Sequence, residues 1–375
     1  MARMITAAVI RRKGGPFRLE RLRLDAPRAD EVQVRLAASG ICHTDLVMRD
    51  DPGPGAIVLG HEGAGVVERV GRGVRKLAPG DHVVLSFLSC GACRFCTEGR
   101  PARCRCLLDL NFSGTRPDGS TPLRASGKPG RRVRGRFFAQ SSFATHALAH
   151  ERSAVKVPKD VPLELLGPLG CGIQTGAGAV MNSLAVDAGS SFAVFGACGV
   201  GLSAVMAVRV VGAATIVAVD RVASRLQLAA ELGATLTVNA RHEDAVTAIR
   251  AATGDGADFT LDTTGNPQVI RQAVAALGPS GACGILGASP EGATLGAAID
   301  DVLGGSKSIR GIIEGDSVPD LFIPKLIELF REGRFPFDRL VRFYDFEAIN
   351  QAVRDSEAGT TVKPILRISA PVPAR

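Results

Sequence analysis

Residues 191–220 have the sequence SFAVFGACGVGLSAVMAVRVVGAATIVAVD, and this stretch decides the fold. It starts with a short apolar run, SFAVFG, continues through the segment GLSAVMAVRVVGA and ends in a β-branched run, TIVAVD. The two runs predict strands, and the longer segment between them predicts a helix. The glycines that interrupt it favour a buried strand–turn–helix over a membrane span. The stretch therefore predicts one βαβ unit of a parallel sheet.

The turn between the first strand and the helix has the sequence Gly196-Ala-Cys-Gly-Val-Gly. Glycines permit a tight turn, and the free amides at a helix N-terminus bind a pyrophosphate. Asp220 ends the second strand, where an acid that binds the ribose hydroxyls is expected. A glycine-rich turn without a ligand is the alternative, and Cys198 replaces the middle glycine of the fingerprint. We predict dinucleotide binding by Gly196, Cys198, Gly199, Val200, Gly201 and Asp220.

The sequence pattern of residues 1–171 differs from that of residues 172–316, which include this stretch. From residue 172 to 316, strands alternate with helical segments of about 10–15 residues, which is typical of a parallel α/β sheet. Residues 1–171 contain short apolar runs separated by Gly, Pro and Asp, which is typical of a β-rich unit. Within them, residues 111–136 are rich in Gly, Pro, Ser and Arg. This segment is predicted to be a surface excursion.

Length and composition exclude several classes of protein. The chain has 375 residues, 46% of them hydrophobic, so it can bury a large core and is not disordered as a whole. One Tyr and no Trp argue against a carbohydrate cleft or a base-stacking surface. The net charge of +8 is scattered, which favours an anionic cofactor over a nucleic-acid or membrane partner. The N-terminal apolar run is too short for a signal peptide, so a cytoplasmic location is predicted.

Four of the nine cysteines lie between positions 90 and 104, in CGACRFCTEGRPARC. In a chain of this length such a cluster predicts metal binding rather than disulfides. The spacing C-x2-C-x2-C-x7-C can surround one tetrahedral zinc, and a closed shell of four thiolates predicts a structural role. Free thiols and an iron–sulfur centre are the alternatives. The predicted ligands are Cys90, Cys93, Cys96 and Cys104.

Three further candidate ligands are dispersed along the chain. Cys42 lies in SGICHTD, His61 in LGHEGAGVVERVG and Cys171 in LGCGIQTGAGA. Alone, each has a structural explanation, since a buried cysteine packs like a small apolar residue. Together, two thiolates and one imidazole leave a fourth position open, which is typical of a catalytic zinc site. The sequence thus predicts two Zn²⁺ per chain.

Residues 60–74, GHEGAGVVERVGRGV, match the zinc signature GHE-x2-G-x5-G-x2-V at every fixed position. This signature belongs to the medium-chain alcohol dehydrogenases, and the order of the motifs resembles that family along essentially the whole chain. GPLGCGIQTGAGAV and the segment EGDSVPDLFIPKLIELFREGRFPFDRLVRFYDFEAINQAV most resemble the aryl-alcohol (benzyl alcohol) dehydrogenase branch.

The resemblance implies an α/β protein of two domains. A GroES-like, β-rich catalytic domain would comprise 1–171 and 317–375, and a doubly wound Rossmann domain that binds NAD would comprise 172–316. The implied activity is zinc-dependent, NAD-linked, reversible oxidation of a primary aromatic or allylic alcohol to its aldehyde. A homodimer or homotetramer is expected. The alternatives are another zinc dehydrogenase, acting on an aliphatic alcohol, a polyol or a formaldehyde–thiol adduct, and a basic zinc-containing nucleic-acid-binding protein.

The resemblance also implies roles for residues around the catalytic zinc. Cys42, His61 and Cys171 would bind the metal. Glu62 would be a nearby or transient ligand, and the Asp45 carboxylate would orient the histidine. Thr44 would bond the alcohol.

Other implied contacts concern the cofactor. His43 and Lys363 would contact the pyrophosphate, and the further predicted cofactor contacts are Thr175 and Arg225. Val47 stands where liver-type enzymes carry a proton-relay histidine, and the loop DDPGPGAIV before the zinc signature is short. Two cysteines match no ligand position and are predicted to be inert buried thiols, Cys106 and Cys283.

Overall fold

The computed structural model describes residues 2–126 and 132–369, and the chain divides into two compact units. Unit 1 comprises Met1–Cys171, Val318–Lys325 and Leu340–Arg375, and unit 2 comprises Gly172–Ser317 and Leu326–Arg339. We predicted that all of 317–375 belongs to the first domain. The structure differs because the helix Pro319–Arg331 crosses the boundary, and the buried Leu326 and Ile327 of its second half belong to unit 2.

The described residues form the following strands and helices. The strands are β1 (Arg3–Ile10), β2 (Arg18–Leu24), β3 (Glu31–Gly40), β4 (Ile57–Val58), β5 (Glu62–Val70), β6 (His82–Leu85), β7 (Leu123–Ala125), β8 (Arg132–Val133), β9 (His146–His150), β10 (Ala154–Lys156), β11 (Ser191–Phe195), β12 (Thr215–Asp220), β13 (Leu236–Asn239), β14 (Ala257–Asp262), β15 (Leu277–Ile285), β16 (Ser308–Gly311), β17 (Val341–Asp345) and β18 (Lys363–Arg367). The helices are α1 (His43–Asp50), α2 (Arg94–Thr97), α3 (Leu107–Phe112), α4 (Gly172–Gly178), α5 (Gly199–Val211), α6 (Ala223–Leu232), α7 (Ala245–Thr253), α8 (Pro267–Ala275), α9 (Ile299–Gly304), α10 (Pro319–Arg331) and α11 (Ile349–Glu357). In this part of the chain no helix combines the length and the apolar character that crossing a bilayer requires.

Unit 2 contains a six-stranded parallel sheet in the order β13-β12-β11-β14-β15-β16. Counted from β11 this order is 3-2-1-4-5-6, that of a doubly wound dinucleotide-binding domain. The central strand β11 is almost entirely buried and apolar, as expected where helices cover both faces of a parallel sheet. The winding direction reverses between β11 and β14, and ligands of such sheets bind at the carboxyl ends of the strands at this point.

Unit 1 is rich in β-structure, as predicted. One sheet has the order β4-β1-β2-β7-β8, and a second has the order β10-β6-β5-β3-β18-β17, with β9 also paired to β3. Strand β18 pairs antiparallel with β3, with Ile365 opposite Gly40. The C-terminal part of the chain therefore adds β17 and β18 to the sheet that contains β3 and β5. The predicted ligand Cys42 follows β3, and the predicted ligand His61 precedes β5.

The glycines of the zinc signature lie where the backbone leaves no room for a side chain. A Cβ at Gly65 would lie 2.2 Å from the carbonyl oxygen of Arg35, and a Cβ at Gly71 would lie 1.8 Å from that of Arg28. Gly60 has a φ of +89°, a conformation that favours glycine. Gly65 thus allows β5 to lie against β3, and Gly71 allows the chain after β5 to pass close to the segment before β3. Gly60 shapes the turn before His61.

The segment 111–136 is not the surface excursion that we predicted, at least in its described parts, 111–126 and 132–136. It includes β7 and β8, and two of its arginines are buried against Glu31. Arg116 donates to the two Glu31 carboxylate oxygens at 2.7 and 3.0 Å, and Arg136 donates to one of them at 3.3 Å. A buried group of charged residues produces no apolar periodicity, which explains why the prediction was wrong.

Candidate active site

Four potential metal ligands from separate segments of unit 1 meet at one point. They are Cys42, His61, Glu62 and Cys171, and each offers one ligand atom within 4.8 Å of the others. Cys42 precedes α1, and Cys171 follows a short 3₁₀ turn. His61 directly precedes β5, and Glu62 is the first residue of that strand. His61 and Glu62 are fully buried. The structure thus brings the three predicted zinc ligands together, with Glu62 beside them.

The chemistry of these residues fits zinc. The Nε2 atom of His61 is buried and has no hydrogen-bond partner among the described residues, which is costly unless another atom binds it. Hydrogen bonding with Cys171 lowers the pKa of Cys42 well below its ordinary value, and His61 adds to this effect. A lowered pKa favours the thiolate, which is the metal-binding form of cysteine. Two thiolates and an imidazole would therefore hold Zn²⁺ and leave one position for a substrate oxygen.

The Asp45 carboxylate connects the segments that carry two of the ligands. One oxygen accepts a hydrogen bond from the Cys42 amide at 3.0 Å, and the other accepts from the Gly60 amide and contacts His61 Nδ1, each at 3.0 Å. A hydrogen on Nδ1 leaves Nε2 as the metal-binding nitrogen. The contact with His61 is the one that the resemblance implied.

Lys363 is buried against Glu62. Its ammonium group donates to the two carboxylate oxygens at 2.9 and 3.0 Å, and it lies 3.3 Å from the carbonyl oxygen of Ile41. Burial lowers the pKa of Lys363, but the negative charge of Glu62 outweighs this and raises the pKa above its ordinary value. We predicted a pyrophosphate contact for this lysine. The three oxygens that it contacts lie inside unit 1, and the pyrophosphate contact stays a prediction.

The segment Phe137–Ser141 encloses His61, and no pattern in the sequence predicted this. The Phe138 ring stacks on the imidazole at a centroid distance of 4.4 Å, and the Phe137 ring meets it edge-on at 5.4 Å. The Gln140 side-chain amide donates to the carbonyl oxygen of His61 at 2.9 Å. Three residues here have a left-handed backbone, which is uncommon outside glycine: Phe138, Ala139 and Ser141.

The four clustered cysteines, Cys90, Cys93, Cys96 and Cys104, also come together, with sulfur atoms within 4.8 Å of one another. The Sγ atom of Cys96 lies 3.9 Å from that of Cys90 and 3.6 Å from that of Cys93. Thiolates bound tetrahedrally at about 2.3 Å from zinc are separated by about 3.8 Å, so the spacing fits one ion. Hydrogen bonding from the backbone of Arg105 contributes most to lowering the pKa of Cys93 to about 6.

The two remaining unassigned cysteines differ from each other. Cys283 is fully buried on β15, and burial raises its pKa to about 11, so it is an unreactive thiol, as predicted. Cys106 is exposed. The prediction was wrong for this residue, because it occupies the turn that precedes α3 and not the interior.

The glycine-rich turn connects β11 to α5. Gly196 has a φ of +98°, and a Cβ there would lie 2.4 Å from Thr263 Oγ1; a Cβ at Gly201 would lie 1.9 Å from the Gly196 carbonyl oxygen. Both outer glycines are therefore required by close packing. Cys198 has a φ of −79°, which any residue can adopt, so the middle position accepts a side chain. The first two residues of α5 are Gly199 and Val200.

A cavity of about 360 Å³ lies at the carboxyl ends of β11 and β12, and Gly196, Asp220, Arg221 and Arg241 are among its lining residues. One Asp220 oxygen accepts from the Ala197 amide at 2.6 Å, and the other accepts from the Arg221 amide at 2.7 Å. The carboxylate is therefore held in place between the glycine-rich turn and the cavity.

The other predicted cofactor residues lie outside the lining of this cavity. His43 is exposed at the start of α1, Thr175 is half-buried on α4, and Arg225 is half-buried on α6. Their contacts with a cofactor stay predictions.

Comparisons with known proteins connect this geometry to a family. Residues 28–159 match the alcohol dehydrogenase GroES-like domain, and residues 199–332 match the zinc-binding dehydrogenase domain. The geraniol dehydrogenase of Castellaniella defragrans is 52% identical over 363 residues, covering 96% of each chain.

Solved structures agree with these matches. An alcohol dehydrogenase zinc-binding domain protein from Burkholderia ambifaria superposes with a TM-score of 0.97, at 57% identity over 99% of this chain and 100% of that one. The benzyl alcohol dehydrogenase of Acinetobacter calcoaceticus superposes with a TM-score of 0.94, at 49% identity over 98% and 100%. The predicted fold class, a GroES-like domain plus a Rossmann domain, is confirmed, and the chain belongs to the zinc-binding medium-chain alcohol dehydrogenases.

Proposed function

We propose that this alcohol dehydrogenase oxidises primary aromatic or allylic alcohols reversibly to their aldehydes, with zinc and NAD. The observation that carries the proposal is the meeting of Cys42, His61 and Cys171 around the unpartnered Nε2 atom of the histidine. The substrate class is supported by similarity to two enzymes, one named for an allylic alcohol and the other for an aromatic one.

The protein's part in this reaction is to position groups and to move a proton. Zinc held by Cys42, His61 and Cys171 would supply Lewis-acid polarisation of the alcohol oxygen. Bound NAD would supply the acceptor for the hydride from the alcohol carbon, and the hydroxyl proton would leave to water, so that the alcohol would lose two electrons and two protons in all. Asp45 keeps His61 in the metal-binding tautomer, and Lys363 balances the charge of Glu62 beside the ligands.

A panel of primary alcohols with NAD tests the substrate class. We expect kcat/KM for benzyl alcohol and geraniol to exceed that for ethanol and for a polyol by at least about tenfold, since a larger apolar group adds binding energy in the transition state. Conjugation of the aldehyde also favours oxidation of these substrates. If ethanol or the polyol had the higher kcat/KM, the aryl and allylic assignment would be wrong and an aliphatic alcohol or polyol dehydrogenase would replace it.

The Asp220 carboxylate predicts a preference for NAD over NADP, because a 2′-phosphate would meet a negative charge there. Arg221 and Arg241 line the same cavity and reduce this repulsion. We therefore expect kcat/KM to favour NAD by only about tenfold, which corresponds to about 1.4 kcal/mol. Arg241→Gln should increase the ratio and Asp220→Asn should decrease it. Equal values for the two cofactors in the unchanged protein would show that Asp220 does not face the ribose.

The route of the proton is proposed to begin at Thr44. Its hydroxyl oxygen lies 3.8 Å from Cys42 Sγ, in the first turn of α1. Val47 lies almost one turn later and can neither donate nor accept a proton. His43 is exposed and is rotated about 100° from Thr44 around the helix axis. We infer that Thr44 passes the proton to the nicotinamide-ribose hydroxyl, from which it reaches water without residue 47.

Thr44→Val is expected to reduce kcat by about 10²-fold or more, in the range of a positioned proton-transfer group. Thr44→Ser is the matched control, because it keeps the hydroxyl, and should retain most of the activity. Val47→His should change the pH profile of kcat without abolishing turnover. Full activity of Thr44→Val at every pH would place the start of the proton route elsewhere.

The proposal also includes an oligomeric state and a cellular compartment. β16 lies at one end of the six-stranded sheet, and Ile299, Leu303 and Ile313 nearby in sequence are 82%, 78% and 52% exposed. An edge strand with exposed apolar residues suits pairing with a second copy, which supports a homodimer or homotetramer. None of the nine cysteines forms a disulfide within the described residues, and this supports a reducing compartment such as the cytoplasm.

A further inference from the structure

A cavity outside the candidate active site is lined almost entirely by arginines. It has a volume of about 300 Å³, lies on the connection between β1 and β2, and its lining residues are Arg11, Arg12, Pro16 and Arg18. None of these residues belongs to either metal-ligand cluster or to the glycine-rich turn. The lining contains no aromatic ring, so a ligand would be recognised by charge and by hydrogen-bond donors.

The positive charge of this arginine cavity is only partly neutralised. Glu20 accepts hydrogen bonds from Nε and from Nη2 of Arg11. The third guanidinium nitrogen of Arg11, Nη1, is buried and has no hydrogen-bond partner among the residues that the structure describes. Arg12 and Arg18 are exposed, and neither side chain forms an ion pair or a hydrogen bond within 2–126 and 132–369. Three cations therefore face one carboxylate, and one buried donor lacks an acceptor.

The loop that carries these arginines is held in place by unit 1. The Phe17 amide donates to the Asn350 side chain and the Phe17 carbonyl oxygen accepts from it, both at 2.9 Å. The Phe17 ring is buried and meets Phe143 edge-on at 5.6 Å. A Cβ at Gly15 would lie 2.8 Å from Cγ of Arg12, so the glycine leaves room for Arg12 to fold over the loop. Donors on a fixed loop lose less conformational entropy when a ligand binds.

We propose that the arginine cavity binds a small phosphate-type anion, such as inorganic phosphate or pyrophosphate. A guanidinium group presents paired donors that match two oxygens of a phosphate. Arg11 supplies a buried donor that lacks an acceptor, and Arg12 and Arg18 supply two charges without a counterion. A dianion or trianion balances this charge, whereas chloride or acetate carries too little charge and too few acceptors.

Calorimetric titration with pyrophosphate tests the proposal. Because pyrophosphate can also enter the dinucleotide site, each titration is carried out with and without saturating NAD. We expect Arg12→Gln/Arg18→Gln to weaken the NAD-independent binding by at least about tenfold, since the double variant loses two charges and their charge-assisted hydrogen bonds to the anion. Arg72→Gln/Arg75→Gln is the matched control, because it removes the same charge from another exposed loop and should change the affinity less than twofold.

A third variant should strengthen the binding of pyrophosphate to the arginine cavity. Glu20→Gln removes the carboxylate that competes for Arg11, so pyrophosphate should bind several times more tightly. Equal weakening by the two double variants would show that only net charge attracts the anion and would overturn the proposal. So would a wild-type protein that binds no pyrophosphate at millimolar concentration when NAD is present. Thermal unfolding of each variant verifies that it is folded, as expected for substitutions of exposed arginines.

Discussion

Replacement of His61 by alanine is expected to reduce kcat by about 10³-fold or more and to remove one of two zinc equivalents per chain. The substitution deletes the buried Nε2 atom that faces the two thiols. Cys42 and Cys171 alone cannot complete a tetrahedral site. The four-cysteine cluster is untouched, so the protein should stay folded and retain its other zinc. Metal analysis of the purified protein and steady-state kinetics measure both effects.

A substitution in the four-cysteine cluster should have a different effect from His61→Ala, and a neighbouring cysteine outside the cluster provides the control. Cys104→Ser should remove the structural zinc and lower solubility or thermal stability, since the Cys104 side chain is buried within the cluster. Cys106→Ser alters an exposed cysteine two residues further along the chain and should leave metal content and stability unchanged. A single zinc equivalent in the unchanged protein, together with a harmless Cys104→Ser, would rule out the structural site.

Glu31→Gln is expected to lower the free energy of unfolding by about 3–5 kcal/mol, the usual cost of breaking a buried ion pair by removing one partner. The side chains of Glu31 and Arg116 are only 3% and 4% exposed, and Arg136 shares the same carboxylate. Without that charge, two buried guanidinium groups would repel each other in a medium of low dielectric constant. Chemical denaturation measures the change. A loss below about 1 kcal/mol would show that water reaches the three side chains.

The buried group of Glu31, Arg116 and Arg136 also makes the free energy of unfolding depend on pH, and it should fall as the pH falls. Burial raises the pKa of Glu31, but hydrogen bonding from Arg116 and the charge of Arg136 outweigh it, so the folded pKa is lowered. The stabilisation is therefore complete above the unfolded pKa of about 4.3 and is lost as the pH falls through the lower folded value. Glu332→Gln is the control. Its ion pair with Arg334 is about half exposed, 54% and 53%, and should contribute at most about 1 kcal/mol at any pH.

The parts that were predicted correctly depend on local sequence constraints. Residues 191–220 alternate strand, glycine-rich turn and helix within one short stretch, so the βαβ unit of a parallel sheet could be predicted from the pattern alone. Cys42, His61 and Cys171, the predicted zinc ligands that the structure brings together, could be singled out because they lie in short motifs whose spacing reflects backbone contacts, such as the one that Gly65 makes with β3.

The parts that were missed depend on contacts between distant residues. Phe138 and Gln140 contact His61 across more than seventy positions, and no local pattern marks either of them.

The three contacts of Asp45 have a consequence for how the active site opens. The amides of Cys42 and Gly60 are far apart in sequence, yet both donate to the same buried carboxylate, which also contacts His61. Water cannot reach either amide unless this carboxylate is displaced, and its displacement releases the imidazole as well. The two amide protons should therefore exchange with deuterium at similar slow rates, through one shared opening. That opening is also the step at which the histidine can leave the metal, so α1 and the start of β5 would loosen as a single cooperative unit.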